Sequence, residues 1–337
     1  MNVRSTTRPG LGLQRKRRPA YAVAAGLLVV GLLASACTSS NDSKSSDSTA
    51  NSGTAAAGAT QTYKNLDAGG PLTVGALEKG SIDVAELFSV NGAIAANGWV
   101  VLEDDKHLQA ADNFVPAIRT DKATPEVSAL LDAVDAKLTQ AGVQDLVKQV
   151  SVDGQNPDDV AKSWLKDNKL PGDLKATGSL KVGTADFAES EIVGQIYAQV
   201  LSEAGVDVSV RSNIGERSAY IPLLKQGDID LIPEFTASLL VYLNADATPS
   251  GDLDTTYQAA KAEAEKNGFT LLEPSNVNDV NVFVVTKKTA DEHNLTTLSD
   301  LAKSGVGLRW GVAPACKDNA QCIPGLEKTY GFTFKAG

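Results

Sequence analysis

One thirteen-residue pattern occurs twice in the chain, and it constrains the fold more than any other feature. Leu77-Glu78-Lys79-Gly80-Ser81-Ile82-Asp83-Val84-Ala85-Glu86-Leu87-Phe88-Ser89 aligns without a gap on Leu224-Lys225-Gln226-Gly227-Asp228-Ile229-Asp230-Leu231-Ile232-Pro233-Glu234-Phe235-Thr236. Leu, Gly, Ile, Asp and Phe are identical, and Val/Leu and Ser/Thr are conservative. Each copy reads as a helix end, a glycine cap, a short strand, then an aromatic followed by a hydroxyl, because glycine at a helix C-terminus accepts the left-handed turn into the strand. Ligands of open α/β sheets bind beyond the carboxyl ends of strands, where Phe88-Ser89 and Phe235-Thr236 fall. Two such units predict two similar lobes facing each other across a cleft. The competing reading is chance recurrence of a common helix-to-strand junction.

The segments around the repeat support an α/β fold. Leu180–Gly183, Ile229–Ile232, Val282–Val285 and Trp99–Leu102 are short apolar runs that read as strands. Ile192, Val193, Ile196, Val200 and Leu201 form the stripe of a helix over residues 189–204, and residues 126–150 and 255–267 read similarly. Strand and helix alternation of this kind predicts largely parallel sheets. Asp83 and Asp230 are expected to brace the two helix-to-strand junctions.

Charge separates the beginning of the chain from the rest. Arg4, Arg8, Arg15, Lys16, Arg17 and Arg18 precede an apolar stretch from Ala20 to Ala36, and the first 36 residues contain no acid. Small residues lead up to Cys37 in Leu33-Ala34-Ser35-Ala36-Cys37, the pattern of an export signal over residues 1–36. A cysteine directly after such residues resembles a bacterial lipobox, so Cys37 is the expected site of lipidation; a transmembrane anchor is the alternative, at the short limit of bilayer-spanning length. Residues 37–62, rich in Ser, Thr, Asn, Ala and Gly, read as a disordered tether. Without the first 36 residues, 25 basic side chains face 41 acidic ones. That balance opposes nucleic-acid binding, which depends on Lys and Arg neutralising phosphate. Two histidines, His107 and His293, and no Cys-x-x-Cys pair leave metal chemistry and a Ser-His-Asp site poorly supplied, so neither a metal nor another cofactor is expected. Cys316 and Cys322 read as a disulfide closing a small loop outside the cytoplasm, with two reduced thiols as the alternative.

Several segments together resemble the substrate-binding proteins of ABC importers for glycine betaine, choline, carnitine and related quaternary amines. These are Val182-Gly183-Thr184-Ala185-Asp186-Phe187-Ala188-Glu189-Ser190, Gly227 to Thr236, Cys322-Ile323-Pro324-Gly325-Leu326-Glu327-Lys328-Thr329-Tyr330-Gly331-Phe332 and the turn Leu102-Glu103-Asp104-Asp105-Lys106. The resemblance implies a two-lobed fold of the type II periplasmic binding (Venus flytrap) class, with no enzymatic activity. Its segments stand in an unusual order: the part that closes the family domain, about 71–170, precedes the part that opens it near Leu180. The implied arrangement is a circularly permuted domain over 63–337. One lobe is built from 63–112 plus 282–337, and the other is continuous over 113–281.

The resemblance also places the cleft residues. Positions that hold tyrosines in the family carry Phe88, Phe235, Asn113 and Asn281 here, while Ser89, Thr236 and Ser238 add hydroxyls and Asp186 a carboxylate. Quaternary ammonium groups cannot donate a conventional hydrogen bond and are held by aromatic cages, so two phenyl faces with two amides suit a more polar or flatter solute. Ala185 and Asn319 stand where the family has basic residues, which removes two carboxylate-binding charges. The bland alternatives are core roles for the phenylalanines, turn or hinge roles for the asparagines, and a helix-dipole role for Asp186 and Glu189. Arg217 is placed either at the cleft or in a surface ion pair.

The resulting expectation is a lipoprotein anchored to the outer face of the cell membrane that binds a small osmolyte-like solute and passes it to a permease and ATPase complex. A non-transporting ligand sensor or interaction lipoprotein of the same fold is the alternative. A hydrolase or transferase finds no support, since the chain has no Gly-x-Ser-x-Gly, no Gly-x-Gly-x-x-Gly and no paired histidines.

Overall fold

The computed structural model describes residues 59–67, 69–170 and 174–337. The export signal, Cys37 and all but the end of the tether lie outside the described residues. Eleven strands are present among the described residues: β1 (Gln61–Asn65), β2 (Val84–Phe88), β3 (Val100–Leu102), β4 (Phe114–Arg119), β5 (Ser179–Gly183), β6 (Asp207–Arg211), β7 (Leu231–Phe235), β8 (Phe269–Leu271), β9 (Asn281–Val285), β10 (Arg309–Val312) and β11 (Phe334–Ala336). They form a six-stranded sheet in the order β11-β1-β10-β2-β9-β3 and a five-stranded sheet in the order β6-β5-β7-β4-β8. Strand β1 starts at Gln61, inside the span read as tether; the Gln61 side chain is buried and accepts hydrogen bonds from the Leu308 amide and the Trp310 indole.

The expectation of largely parallel sheets holds with one exception per sheet. Strands β1, β2, β10 and β11 run parallel, as do β5, β6 and β7, but β9 lies antiparallel to β2 and β4 antiparallel to β7. Both exceptions follow a segment that crosses from the other sheet, 272–280 before β9 and 103–113 before β4. Each crossing strand enters at the carboxyl ends of its neighbours, so it must run against them.

Alternation along the strands divides each sheet between two cores. In β2, Val84 packs with Phe283, Leu298 and Trp310 on one face, while Ala85 and Leu87 pack with Leu77 and Ile82 on the other. In β7, Leu231 and Phe235 join Phe114, Ile192 and Tyr197, while Ile232 joins Tyr220, Leu239 and Phe269. Successive side chains of a strand point to opposite faces, so helices cover both sides of each sheet.

The stripe read over 126–150 is two helices, Pro125–Asp135 and Gln140–Ser151. Thr139 interrupts it with extended backbone and restarts the helix by accepting the Gly142 N–H at 3.1 Å, the usual work of an N-cap threonine. The apolar periodicity runs through the break because Leu131, Val134, Leu138, Val143 and Val147 all reach one core. Helices at Ala188–Ala204 and Leu253–Lys266 stand close to the expected spans.

Both copies of the repeat adopt one geometry. Leu77 and Leu224 are buried ends of helices, and Gly80 and Gly227 turn the chain at φ +64° and +78°, which L side chains rarely adopt. Asp83 accepts the Arg309 amide at 2.9 Å and Asp230 accepts the Lys181 amide at 3.0 Å, each therefore fastening its strand to the parallel neighbour. An arginine backs each aspartate: Arg309 reaches Asp83 at 2.6 Å and Arg119 reaches Asp230 at 3.6 Å.

Candidate functional site

The carboxyl ends of β2 and β7 open on a cleft between the two sheets. Two cavities of about 820 and 740 Å³ occupy it, and Phe88, Asp112, Glu216, Arg217, Ser238 and Asp279 line both, so they are two halves of one space. Volumes of this order are typical of small-molecule sites.

Phe88, at the end of β2, leaves 45% of its surface exposed and turns its ring into the shared region. Phe235, at the end of β7, borders the second half but is 7% exposed. Its ring packs at a tilt against Phe114 with centroids 4.5 Å apart, and the Arg217 guanidinium lies 5.8 Å from its centre. Asn281 and Ser238 also line the cleft. Ser238 lies in the first turn of the helix Thr236–Leu243, and its hydroxyl donates to Asp112 Oδ2 while Asp112 Oδ1 accepts the amides of Ala237 and Ser238 at 2.8 and 2.9 Å.

The other expected contacts stand behind the wall. The Ser89 hydroxyl donates to the Asn278 carbonyl at 2.6 Å and accepts the Val280 amide at 3.1 Å. The Thr236 hydroxyl donates to the Ala111 carbonyl at 2.9 Å and accepts the Asn113 amide at 3.0 Å. Each hydroxyl is therefore tied to one of the two crossing segments, and both side chains are buried. Asn113 is buried too, with its amide donating to the Ser275 carbonyl at 3.0 Å. Asp186 is exposed and borders neither half of the cleft. The expected set thus divides into wall residues (Phe88, Phe235, Ser238, Asn281), supports (Ser89, Asn113, Thr236) and one residue outside.

Sequence reasoning missed most of the charged wall. Asp112 and Asp279 lie on the crossing segments, Glu216 and Arg217 at the start of the helix Arg217–Gln226, and Glu189 in the first turn of the helix Ala188–Ala204. Phe187 and Tyr242 add rings to one half each. Arg217 holds both carboxylate oxygens of Glu234 at 3.0–3.2 Å, a bidentate pair. Glu234 is fully buried and also accepts the Tyr220 hydroxyl at 2.7 Å and the Phe235 amide at 2.7 Å. Burial pulls the Arg217 pKa down, but the adjoining Glu234 carboxylate outweighs it and the net shift is upward. Burial raises the carboxyl pKa of Asp112, against the Ser238 hydrogen bonds and the Arg217 charge. Burial also raises Glu189. Asp279 rises well above the usual carboxylate range through burial, and then through the like charges of Glu189 and Asp112.

Cys316 and Cys322 stand side by side, with Cα atoms 5.1 Å apart, and the loop between them brings Asn319 and Gln321 to the cleft rim. Buried Glu86 of β2 lies beneath them and accepts the Ala313 amide at 2.7 Å.

Residues 49–167 and 178–337 match the sequence model of OpuAC, the substrate-binding domain of ABC-type glycine betaine transport systems. The chain belongs to this family. It is a family of solute-binding domains, not of enzymes. Similar curated proteins include the glycine betaine-binding protein YehZ of Escherichia coli, 26% identical over 47% of this chain and 54% of that one. A glycine-betaine-binding protein of Pseudomonas aeruginosa is 29% identical over 39% and 41% of the two chains. The ergothioneine transport permease/binding protein EgtU of Helicobacter pylori is 26% identical over 51% and 30%. The matches thus span about half or less of the length of these relatives. Among solved structures, a nickel ABC transporter protein from Bacillus halodurans shares 17% identity, covering 64% of this chain and 56% of that one at a TM-score of 0.34. Among the described residues no helix is long and apolar enough to cross a membrane.

Proposed function

We propose that the protein is an extracytoplasmic lipoprotein that closes its two lobes on a small osmolyte-like solute, of the glycine betaine and choline class or a more polar relative, and delivers it to an ABC permease and ATPase complex. The observation that carries this reading is the cleft between the two sheets, lined from both sides and from both crossing segments by the same six residues. Two lobes joined by two crossings are the architecture of hinge closure around a ligand. Phe88 supplies an open aromatic face, and Ser89 and Thr236 hold the crossing segments in register with the lobes. Membership of the OpuAC family and the names of the curated relatives support the solute class. Cys37 is the proposed lipid site and Cys316–Cys322 the proposed disulfide, which pins the loop carrying Asn319 and Gln321 at the rim.

The domain order is read as a circular permutation, with the lobes 63–112 plus 282–337 and 113–281. Parallel pairing of β11 with β1 supports it, because that register sets residues 334–336 beside residues 61–63. A chain opened between 169 and 177 and rejoined from 337 to 59 through a flexible linker is expected to bind as the native order does; loss of binding in a folded rearranged chain overturns the reading.

Solute binding is tested by melting the purified protein against betaines, choline, amines, polyols and phenolics. A ligand present at a hundred times its Kd adds about 2.7 kcal/mol of apparent stability, a clear rise in Tm. Absence of any shift across all classes rejects solute binding, by importer or sensor alike, and leaves the interaction lipoprotein as the function of the fold.

A further inference from the structure

We infer that the cleft takes a cation bearing N–H donors and no carboxylate, such as an alkylammonium or guanidinium compound, held by Asp112, Glu189 and Asp279 and not by an aromatic cage. The inference rests on the solute-binding reading and takes its more polar alternative, not glycine betaine or choline, as the ligand.

Four acids line the cleft, Asp112, Glu189, Glu216 and Asp279, and Arg217 is the single basic side chain among the lining residues. Arg217 does not balance them, because its guanidinium is already bidentate on buried Glu234. A ligand carboxylate would therefore add a negative charge to a wall whose described residues hold no cation beyond the paired Arg217, and Ala185 and Asn319 supply none. An incoming positive charge is favoured instead, increasingly so as closure removes water and lowers the local dielectric.

The demand for N–H donors comes from the lone pairs. Asp112 is satisfied by two amides and the Ser238 hydroxyl. Glu189 receives no donor from another side chain among the described residues, only its own backbone N–H. Asp279 receives the Val90 backbone N–H and only a distant Ser89 hydroxyl, 3.4 Å away, because the single Ser89 proton goes to the Asn278 carbonyl at 2.6 Å; one of its oxygens is therefore left for a ligand. A half-buried carboxylate short of donors favours a ligand that brings them as the cleft closes. A quaternary ammonium offers a shell of methyl groups and cannot relieve that cost, whereas a primary ammonium offers three donors and a guanidinium five. Phe88 and Phe187 provide apolar surface for the alkyl portion.

Proton linkage supplies a second readout. The groups facing one another are Asp112 and Asp279 from the crossing segments, Glu189 from its helix, and Glu216, Arg217 and Glu234 from the second lobe. Burial raises the carboxyls of Asp112, Glu189 and Asp279, so an entering cation displaces protons from them. Affinity then increases as pH rises through and above the ordinary carboxylate range, and calorimetry in buffers of different ionisation enthalpy reads net proton release.

The test is calorimetric titration of the purified protein with putrescine, agmatine, choline and glycine betaine. Putrescine or agmatine is expected to bind at least about tenfold more tightly than choline and glycine betaine, a difference of about 1.4 kcal/mol. Glu189→Gln and Asp279→Asn are each expected to weaken that binding by a similar factor, while Asp186→Asn, outside the cleft, leaves it unchanged. Melting of the variants without ligand separates lost binding from lost folding, since neutral amides at half-buried acidic positions should melt no lower than the parent. Tighter binding of choline or glycine betaine, or full affinity in Glu189→Gln and Asp279→Asn, overturns the inference. If none of the four binds but a polyol or phenolic raises Tm, the cation class is wrong and solute binding stands; if no solute of any class binds, both readings fall together.

Discussion

The two copies of the repeat share a backbone but divide the labour of the cleft. Both helix ends turn through a left-handed glycine, both aspartates clip their strand to its parallel neighbour, and both hydroxyls hold a crossing segment. They differ after the shared aspartate. In the first copy Leu87 enters the core and Phe88 stands in the open cleft; in the second, Glu234 takes the place of Leu87, neutralises Arg217, and leaves Phe235 buried against Phe114. One leucine-to-glutamate difference therefore accompanies the change from an exposed ring to a packed one. The shared positions build the junction, while the residues between them decide which ring stands open in the cleft.

Exchanging residue types between the copies gives the largest expected effect. Glu234→Leu installs the first copy's residue and leaves Arg217 without its partner, which costs about 3–5 kcal/mol when a buried pair is broken on one side. Adding Arg217→Met should recover much of that loss, and urea unfolding of the single and double variants measures it. Failure of the second substitution to recover any stability would show that the Tyr220 and Phe235 bonds to Glu234, and not the ion pair, set the cost.

The phenylalanines provide the next contrast. Phe235→Ala removes a packed ring and is expected to lose about 3–5 kcal/mol, whereas Phe88→Ala, at a largely open site, should change stability by about 0.5 kcal/mol or less and weaken ligand binding. Equal destabilisation by the two would contradict the difference in burial on which the division of labour rests.

The hinge hydroxyls should behave alike. Ser89→Ala and Thr236→Val each strip one carbonyl and one amide of a partner, at about 1–3 kcal/mol apiece. Hydrogen exchange should report faster exchange at Val280 in the first and at Asn113 in the second; exchange that rises at neither amide removes the hinge role.

The smallest effect is a pH dependence. Burial pulls the Asp83 pKa up, but the hydrogen bonds and charge of Arg309 outweigh it and the net pKa is lowered. Its contribution is complete above the ordinary carboxylate range and is lost as pH falls through the lowered pKa. Asp83→Asn should therefore flatten the acid limb of the stability profile, by a small amount because the pair is partly exposed to solvent. An acid limb identical to that of the parent would sink this prediction.

Much of the fold is legible in the sequence because its signals are local. Gly80, Gly227, the strand alternation around Val84 and Leu231, and the helix stripe at Ile192 to Leu201 all follow from short-range conformational rules. Over 126–150 the hydrophobic period persists across a break between two helices, and only the threonine cap at Thr139 marks it. The cleft was legible in part. Phe88 and Phe235 could be found from their place after a strand, but their opposite burial could not, since it depends on Phe114 and Arg217 arriving from elsewhere in the chain.

The sequence by itself determined two copies of a helix-to-strand unit, an α/β body, an acidic balance and the positions where a cleft would open. Tertiary structure alone decided what that cleft is made of. Asp112, Glu189, Glu216 and Asp279 are four of the 41 acids in the chain, and no local pattern distinguishes them from the rest. They converge because two crossing segments, one helix start in each half of the second sheet's cover, and the ends of β2 and β7 meet at one place. Their proximity, and the burial that raises three of their carboxyls, are properties of distance in space, which sequence separation does not encode.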